Sequence, residues 1–376
     1  MAVPAPLLRP HIAYLGALAL ILALLLRHGW DAVWLAYGIH PLQPAFADLR
    51  TIQAGLYSLR HGLDPQLVNP TDPWHRPMNY PSVWLHLARA LHWENERSYL
   101  VFAGLSVAAF LGCCVDLIRR WPSWWTVALA LSQAPALMAE RANNDCVIFV
   151  LVYLSAISAR PLFALLVPLA TLLKIYPVLA LPAFAARRGP LVLAGLLCAA
   201  ALLALIPELG AIRGATPVSP TVSFGLPVYA LALAGAGLSL PPLAVGALLV
   251  LLAGLAALAF ARLPVPEAEP AALRLFLCGG AVFVGSSLLG ANWDYRLCFL
   301  LMTLPWLARV SQRGLAAVLV ALMLAAFNQP LLETHWGPGG LRLNLAAKAA
   351  LFVLLAPLAW RAVPGHWLRL TPTKAE

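Results

Sequence analysis

PAFADLRTIQAGLYSLRHGLDP (44–65), followed closely by NPTDPWHRPMNYPSVW (69–84), forms the one long polar stretch of an otherwise apolar chain. Upstream of it lies HIAYLGALALILALLL (11–26), and beyond residue 97 apolar runs follow one another with short polar breaks between them. Of 376 residues, 62% are hydrophobic and 11% charged, against about 25% charged in a soluble domain. Too few polar side chains remain to cover a water-facing surface, so lipid is the solvent for most of the chain. In lipid, an open chain satisfies its backbone polar groups only as helix. The expected fold is all-α: a polytopic transmembrane helical bundle forming a single integral membrane domain over 1–376. Residues 28–97 are its first outside loop, carrying interfacial helices.

Apolar runs at 11–27, 98–118, 122–139, 146–159, 161–173, 175–186, 190–207, 241–260, 273–290, 297–310, 314–330 and 343–360 predict about twelve spans. The first run lacks a strongly basic leader and is read as a retained helix. Two further pieces, 80–93 and 226–240, read as re-entrant. At 1.5 Å per residue, 161–173 reaches only about 20 Å of a core near 30 Å, so 161–186 is expected to be shallow, tilted or broken at KIYP (174–177).

With a cytoplasmic N-terminus, the inside loops collect Arg119–Arg120, Arg160, Arg187–Arg188, Arg262 with Arg274, Arg309 with Arg313, and a tail bearing Arg361, Arg369 and Lys374. That is the positive-inside pattern. The exception is 28–97, with Arg50, Arg60, Arg76, Arg89 and Arg97; long translocated loops are largely exempt. The unusual polar motifs then share the other side: FADLR (46–50), ERANNDC (140–146), LKIYP (173–177), the 207–225 break, NWDYR (292–296) and NQPLLETHWGPGG (328–340).

The net charge of +10 comes from basic residues scattered singly and in pairs, which fits membrane lipids as partners and speaks against nucleic acid. Six cysteines lie in or beside apolar runs without CxxC spacing, so no disulfide framework or zinc site is indicated. His61, His75, His86 and His92 lack metal-ligand spacing, and no metal or cofactor is expected.

Ionisable residues at membrane depth mark function by default. Asp48 opens an amphipathic helix in which Phe46, Leu49, Ile52, Leu56 and Leu59 recur at helical spacing. It is a simple first-turn acid or a general base for an acceptor hydroxyl. Asp64 and Asp72 precede prolines and read as turn formers. Glu140, Arg141, Asn143, Asn144 and Asp145 make a polar knot too dense for a turn alone, with Arg141 able to pair with Asp145 or hold a phosphate. Lys174 interrupts an apolar run beside Tyr176 and Pro177, either snorkelling or meeting phosphate. Asn292, Asp294, Tyr295 and Arg296 group sugar-binding residue types at one helix end; Asp294 with Arg296 also reads as a plain ion pair. Glu333, His335 and Trp336 form a weaker set.

Taken in order, DLRTIQAGLYSLRHGLDP, NYPSVW, ERANND, LLKIYPVLALP with ARRG, and NWDYRLCFLLMTLP resemble the polyprenol-phosphate-sugar-dependent glycosyltransferases of family 87, in the glycosyltransferase C superfamily, over residues 44–306. The resemblance implies a helical bundle with an outer-face active site and a polyprenyl-phosphate-linked hexose donor, often mannose. It also implies inverting transfer to a lipid or glycan acceptor, with the first-loop acid, Asp48 here, as general base. Lys174 matches the family's Lys-Ile-Tyr-Pro position. Where the family often has Gly-Gln-Asn or Arg-Gly-Asn, this chain has Arg141-Ala142-Asn143.

The expected protein is thus a glycosyltransferase of a bacterial inner membrane acting on the periplasmic side, both termini cytoplasmic. Lys174, Arg141 and Arg296 neutralise the leaving phosphate; Asn143, Asn144, Asp145, Tyr176, Asn292, Asp294 and Tyr295 orient sugar, acceptor or loop. The rival readings are a lipid or solute transporter, in which broken helices line a midplane site, and a non-catalytic partner in an envelope complex.

Overall fold

The structure is a computed structural model that describes residues 9–363; Arg369 and Lys374 of the expected cytoplasmic tail lie outside the described residues. The described residues are all-α apart from one short strand pair. It begins with α1 (Pro10–His28) and α2 (Trp30–Ala36), then the polar stretch with α3 (Ala47–Arg60) and α4 (Val83–Ala90). There follow α5 (Glu96–Arg120), α6 (Trp124–Ala130), α7 (Gln133–Arg141), α8 (Asp145–Ile157) and α9 (Phe163–Leu173). A 3-10 helix, Tyr176–Phe184, leads to α10 (Arg188–Leu205), a 3-10 turn (Ile206–Glu208) and α11 (Leu209–Ala215). Strand β1 (Ser223–Phe224) precedes α12 (Leu226–Gly235), α13 (Pro242–Phe260) and α14 (Pro270–Leu289). Strand β2 (Asn292–Trp293) runs into a 3-10 helix, Asp294–Thr303, and then α15 (Leu304–Leu307), α16 (Arg313–Phe327), α17 (Gln329–Trp336) and α18 (Pro338–Ala362).

Six helical stretches among the described residues are long and apolar enough to cross a membrane: α1, α5, α10 continued through α11, α13, α14 and α18. The count is seven if α16 and α17, bent by 78°, make one span. The other apolar runs are broken up locally. Run 122–139 divides into α6 and α7 at Ser132, whose backbone is extended. Run 175–186 becomes a 3-10 helix carrying Pro177 and Pro182, which lack the amide hydrogens an α-helix needs. Run 297–310 becomes a 3-10 helix ending against Pro305. The break expected at KIYP falls at Lys174, which is extended at φ −162°. The pieces expected to be re-entrant hold the short helices α4 and α12.

The helices have two chemically distinct ends. At one, Arg274 at the start of α14 donates to Ala156 O (2.7 Å) past the middle of α8, Arg361 near the end of α18 donates to Leu263 O (2.6 Å), and Asp116 holds Arg120 (2.6 Å) at the end of α5. At the other end lie Glu96, which begins α5, Asp145, which begins α8, Lys174, which follows α9, and Asn292, which follows α14. The sequence motifs singled out above therefore gather at one end of the bundle, with most of the arginine-rich breaks at the other.

The 28–97 stretch packs on the motif end. Trp84, Trp93 and Tyr99 are fully buried there, each worth about 1.5–3 kcal/mol or more of burial. Among the hydrogen bonds that tie the stretch to the rest of the chain are three made by Trp84 and Ser82. Trp84 donates Nε1 to Leu173 O (2.9 Å), and Ser82 donates N (2.7 Å) and Oγ (2.6 Å) to Glu208.

Candidate active site

Asp48 lies in the first turn of α3, which forms because Leu49, Ile52 and Leu56 recur at helical spacing and are buried. The chain enters α3 through Phe46, a non-glycine residue in left-handed conformation (φ 62°), whose carbonyl accepts the Tyr99 hydroxyl at 2.6 Å. A second left-handed residue, Ala142 (φ 42°), ends α7 and turns the chain into Asn143. Such conformations persist only where the surroundings over-determine them, and they cluster at functional sites. Here the two bring Asn143 against Asp48, with Nδ2 donating to Oδ2 at 2.6 Å.

Asn143 joins two subsites. Its Oδ1 accepts the Asp145 backbone N–H (2.9 Å), which caps α8, and also Lys174 Nζ (3.3 Å). Lys174 Nζ further donates to Asn144 Oδ1 (2.7 Å) and Asp145 Oδ1 (2.6 Å). Three consecutive residues thus take all three ammonium hydrogens. Asp145 also accepts the Tyr176 hydroxyl (2.6 Å) and Arg296 Nε (3.4 Å). Arg296 lies 4.2 Å over the Tyr176 ring and donates Nη1 to Asn292 Oδ1. The Tyr295 ring, stacked on Trp293, faces Lys174 at 5.8 Å.

The Asp145 side chain is completely buried, whereas Lys174, Arg296 and Asp48 keep 12%, 13% and 14% of their side-chain surface accessible. Asp145 is therefore the internal anchor, and the other three line the accessible rim. Two cations share this one carboxylate, so positive charge is left over beside Asp48. Asn144 Nδ2 is buried without a hydrogen-bond partner among the described residues.

The second partner of Asp48 is Arg76, at 3.3 Å from Oδ1. Arg76 also donates to Ala47 O (2.6 Å) and Asp72 Oδ2 (2.9 Å), and Thr51 donates to the same carboxylate (3.0 Å). Asp72 does form the turn read from its TDPW context, accepting the Trp74 backbone N–H at 3.0 Å. It is also buried, and through Arg76 it fixes the approach to Asp48. Burial works to raise the Asp72 carboxyl, but the hydrogen bonds and charge of Arg76 hold it below its ordinary value. Tyr80, from NYPSVW, is buried beside Asn143 (3.4 Å) and under Lys174 (5.4 Å to the ring). Burial, reinforced by Asp48, pushes its phenol well above the ordinary value, so it remains protonated.

Two expected members stand apart. Arg141 is held by Glu140 (2.8 Å) and His40 O (3.1 Å); the left-handed turn at Ala142 sends Asn143 toward Asp48 and leaves Arg141 facing residues 40–42. Asp294 pairs not with Arg296 but with the fully buried Lys348 of α18, at 2.7 and 2.8 Å. Lys348 also donates to Ser223 O (3.3 Å), and β1 pairs antiparallel with β2, Phe224 opposite Asn292. At Gly225 (φ 111°) the chain passes so close to the Gly290 carbonyl that a Cβ would collide with it. Asp294 thus secures the segment that presents Asn292 and Arg296. Lys348 has a sequence signal, since it interrupts an apolar run much as Lys174 does. Arg76, one of five arginines in the exempt loop, has none.

Among the described residues no three His, Cys, Asp or Glu side chains gather as a metal-ligand set. Comparison with protein-family models, curated proteins and solved structures finds no match to this chain.

Proposed function

We propose that the protein is a membrane-embedded glycosyltransferase of the family 87 kind. In this reading it moves a hexose, mannose by the resemblance, from a polyprenyl-phosphate donor to a lipid or glycan acceptor at the periplasmic face of a bacterial inner membrane. One observation carries the reading: an accessible carboxylate, Asp48, is joined through Asn143 to a cationic pair, Lys174 and Arg296, at the motif end of a helical bundle.

In the reaction, the acceptor hydroxyl loses its proton to Asp48 as its oxygen attacks the anomeric carbon. The bond from that carbon to the phosphate oxygen breaks, and the polyprenyl phosphate departs with the bonding pair. Asn143 and Arg76 occupy one lone pair on each Asp48 oxygen, leaving others to take the proton. Arg296 and Lys174 stabilise the charge developing on the phosphate, an effect strengthened in a water-poor site. Lys174 acts by its field, because its hydrogens are already engaged. Asn144 and the Tyr80 and Tyr295 faces orient the sugar. Arg141 and Asp294 leave the phosphate and sugar roles and become supports. In this reading the short helices complete a glycosyltransferase C-like bundle of about twelve spans with both termini cytoplasmic.

The test is transfer from a radiolabelled polyprenyl-phosphate hexose by the purified protein. Asp48→Asn is expected to lower transfer by about 10²–10⁴-fold; full activity in a folded variant refutes the base assignment. The break at Lys174 and the 78° bend between α16 and α17 favour a second reading as a transporter, since discontinuous helices line transport sites. Solute or lipid flux in proteoliposomes lacking acceptor separates the two.

A further inference from the structure

The first loop departs from the positive-inside pattern with five arginines, and pairing within the fold accounts for three. Arg50 is taken by Glu96, Arg76 by Asp48 and Asp72, and Arg60 by Glu94 at 2.5 Å. Arg89 has no side-chain partner among the described residues. It lines a surface cleft of 490 Å³ together with Arg60, His86, Ala90, His92 and Glu94. His86 and Arg89 stand three residues apart on the exposed side of α4, whose other side buries Trp84, Leu85 and Ala88. Arg60 comes from the end of α3, and His92 from the turn that follows α4, in left-handed conformation at φ 52°. Glu94, the single acid of the cleft, is already engaged by Arg60. The cleft therefore offers a free guanidinium and two imidazoles to an anion, and the planar guanidinium suits a phosphate.

The surroundings specify the source of that phosphate. Leu59 and Leu91, chain neighbours of Arg60 and His92, are exposed, as are Leu63, Leu67 and Val68 farther along the same loop. Basic groups beside exposed leucines suit the boundary between headgroups and acyl chains. We infer that this cleft binds the phosphate of an anionic membrane lipid, with Leu59 and Leu91 set among the acyl chains, and so fastens the first loop to the bilayer surface. Arg60 and Asp48 stand at opposite ends of α3, about 18 Å apart at 1.5 Å per residue, so the lipid site is separate from the Asp48 cluster and independent of its chemistry.

The test uses the full chain in detergent, titrated with phosphatidylglycerol and with phosphatidylcholine, bound lipid being counted by native mass spectrometry. Phosphatidylglycerol is expected to be retained preferentially, and Arg89→Gln to weaken it about fivefold, the effect of one basic group near an anionic surface. Leu91→Gln, which keeps every charge, is expected to weaken it as well. Both positions are exposed, so the melting temperature serves as the folding control. Equal retention of the two lipids, or unchanged binding in Arg89→Gln, overturns the site. Inorganic phosphate displacing the lipid at matched concentration, with Leu91→Gln neutral, overturns the lipid source in favour of a soluble phosphate ligand.

Discussion

The side-chain amide of Asn143 donates to Asp48 across 2.6 Å, and the backbone is left-handed at Ala142 just before the one and at Phe46 just before the turn that holds the other. The contact joins two elements 95 residues apart in sequence. Its geometry depends on two conformations that non-glycine residues adopt at a cost. A β-branched residue is least able to take the left-handed form. Ala142→Val is therefore expected to destabilise the protein by about 1–3 kcal/mol and to lower transferase activity more than its stability loss explains. Scanning fluorimetry set beside the transfer assay checks this; wild-type turnover in Ala142→Val means that the turn does not position Asn143.

From a fully buried position, Asp145 supplies the one carboxylate that Lys174 and Arg296 share. Replacing it by Asn keeps the volume but leaves two cations without their counter-charge, and breaking a buried pair costs about 3–5 kcal/mol. Asp145→Asn should show that loss in denaturant titration, whereas Asp145→Asn combined with Lys174→Met should recover part of it. Additive losses would mean that the two residues do not act as a unit.

The Asp72 carboxyl is held below its ordinary value of 3.8. A lowered folded value means that the ionised form stabilises the folded loop: the contribution is complete above about pH 4 and is lost as pH falls through the folded value. Protection of segment 61–82 against hydrogen exchange, taken relative to the intrinsic exchange rate at each pH, should fall on acidification over that window. Asp72→Asn should show low protection at every pH, with no acid-dependent step, and an unchanged acid profile in that variant would assign the transition elsewhere.

Lys348 and Asp294 form a closed pair inside the bundle. Lys348→Met should destabilise by about 3–5 kcal/mol because it strands a buried carboxylate, while Lys348→Met with Asp294→Leu should approach wild-type stability. Activity separates anchoring from mere packing. If the pair secures β2, the stable double variant still shows a raised KM for donor, through a loosened Arg296; a wild-type KM would confine the pair to stability.

The membrane character and the helical class were legible at once, because composition leaves no alternative way to satisfy the backbone. The span count was less so. Hydropathy marks where the chain is apolar but not where Pro177, Pro182 or Pro305 breaks an apolar run into short or 3-10 segments. Around the candidate site, polar residues interrupting apolar runs pointed to Asn143, Asp145, Lys174 and Arg296, and the amphipathic helix with the family resemblance pointed to Asp48; the fold brings the five together. The same reasoning placed Arg141 with them, because a sequence does not announce that Ala142 turns left-handed and separates neighbours. It offered an ion pair between Asp294 and Arg296, two residues apart, as one reading, when the partner was Lys348, 54 residues away. Arg76 was invisible for the opposite reason: in a polar loop, one more arginine carries no contrast.

Helices α8 and α9 have 13 and 11 residues, about 20 and 16 Å at 1.5 Å per residue, against a hydrocarbon core of about 30 Å. Each starts or ends in the polar cluster and runs toward the arginine end. Set against such a core from the arginine end, the two helices fall about 10 and 14 Å short, and the polar loop packs over the floor that Asp145 and Lys174 form there.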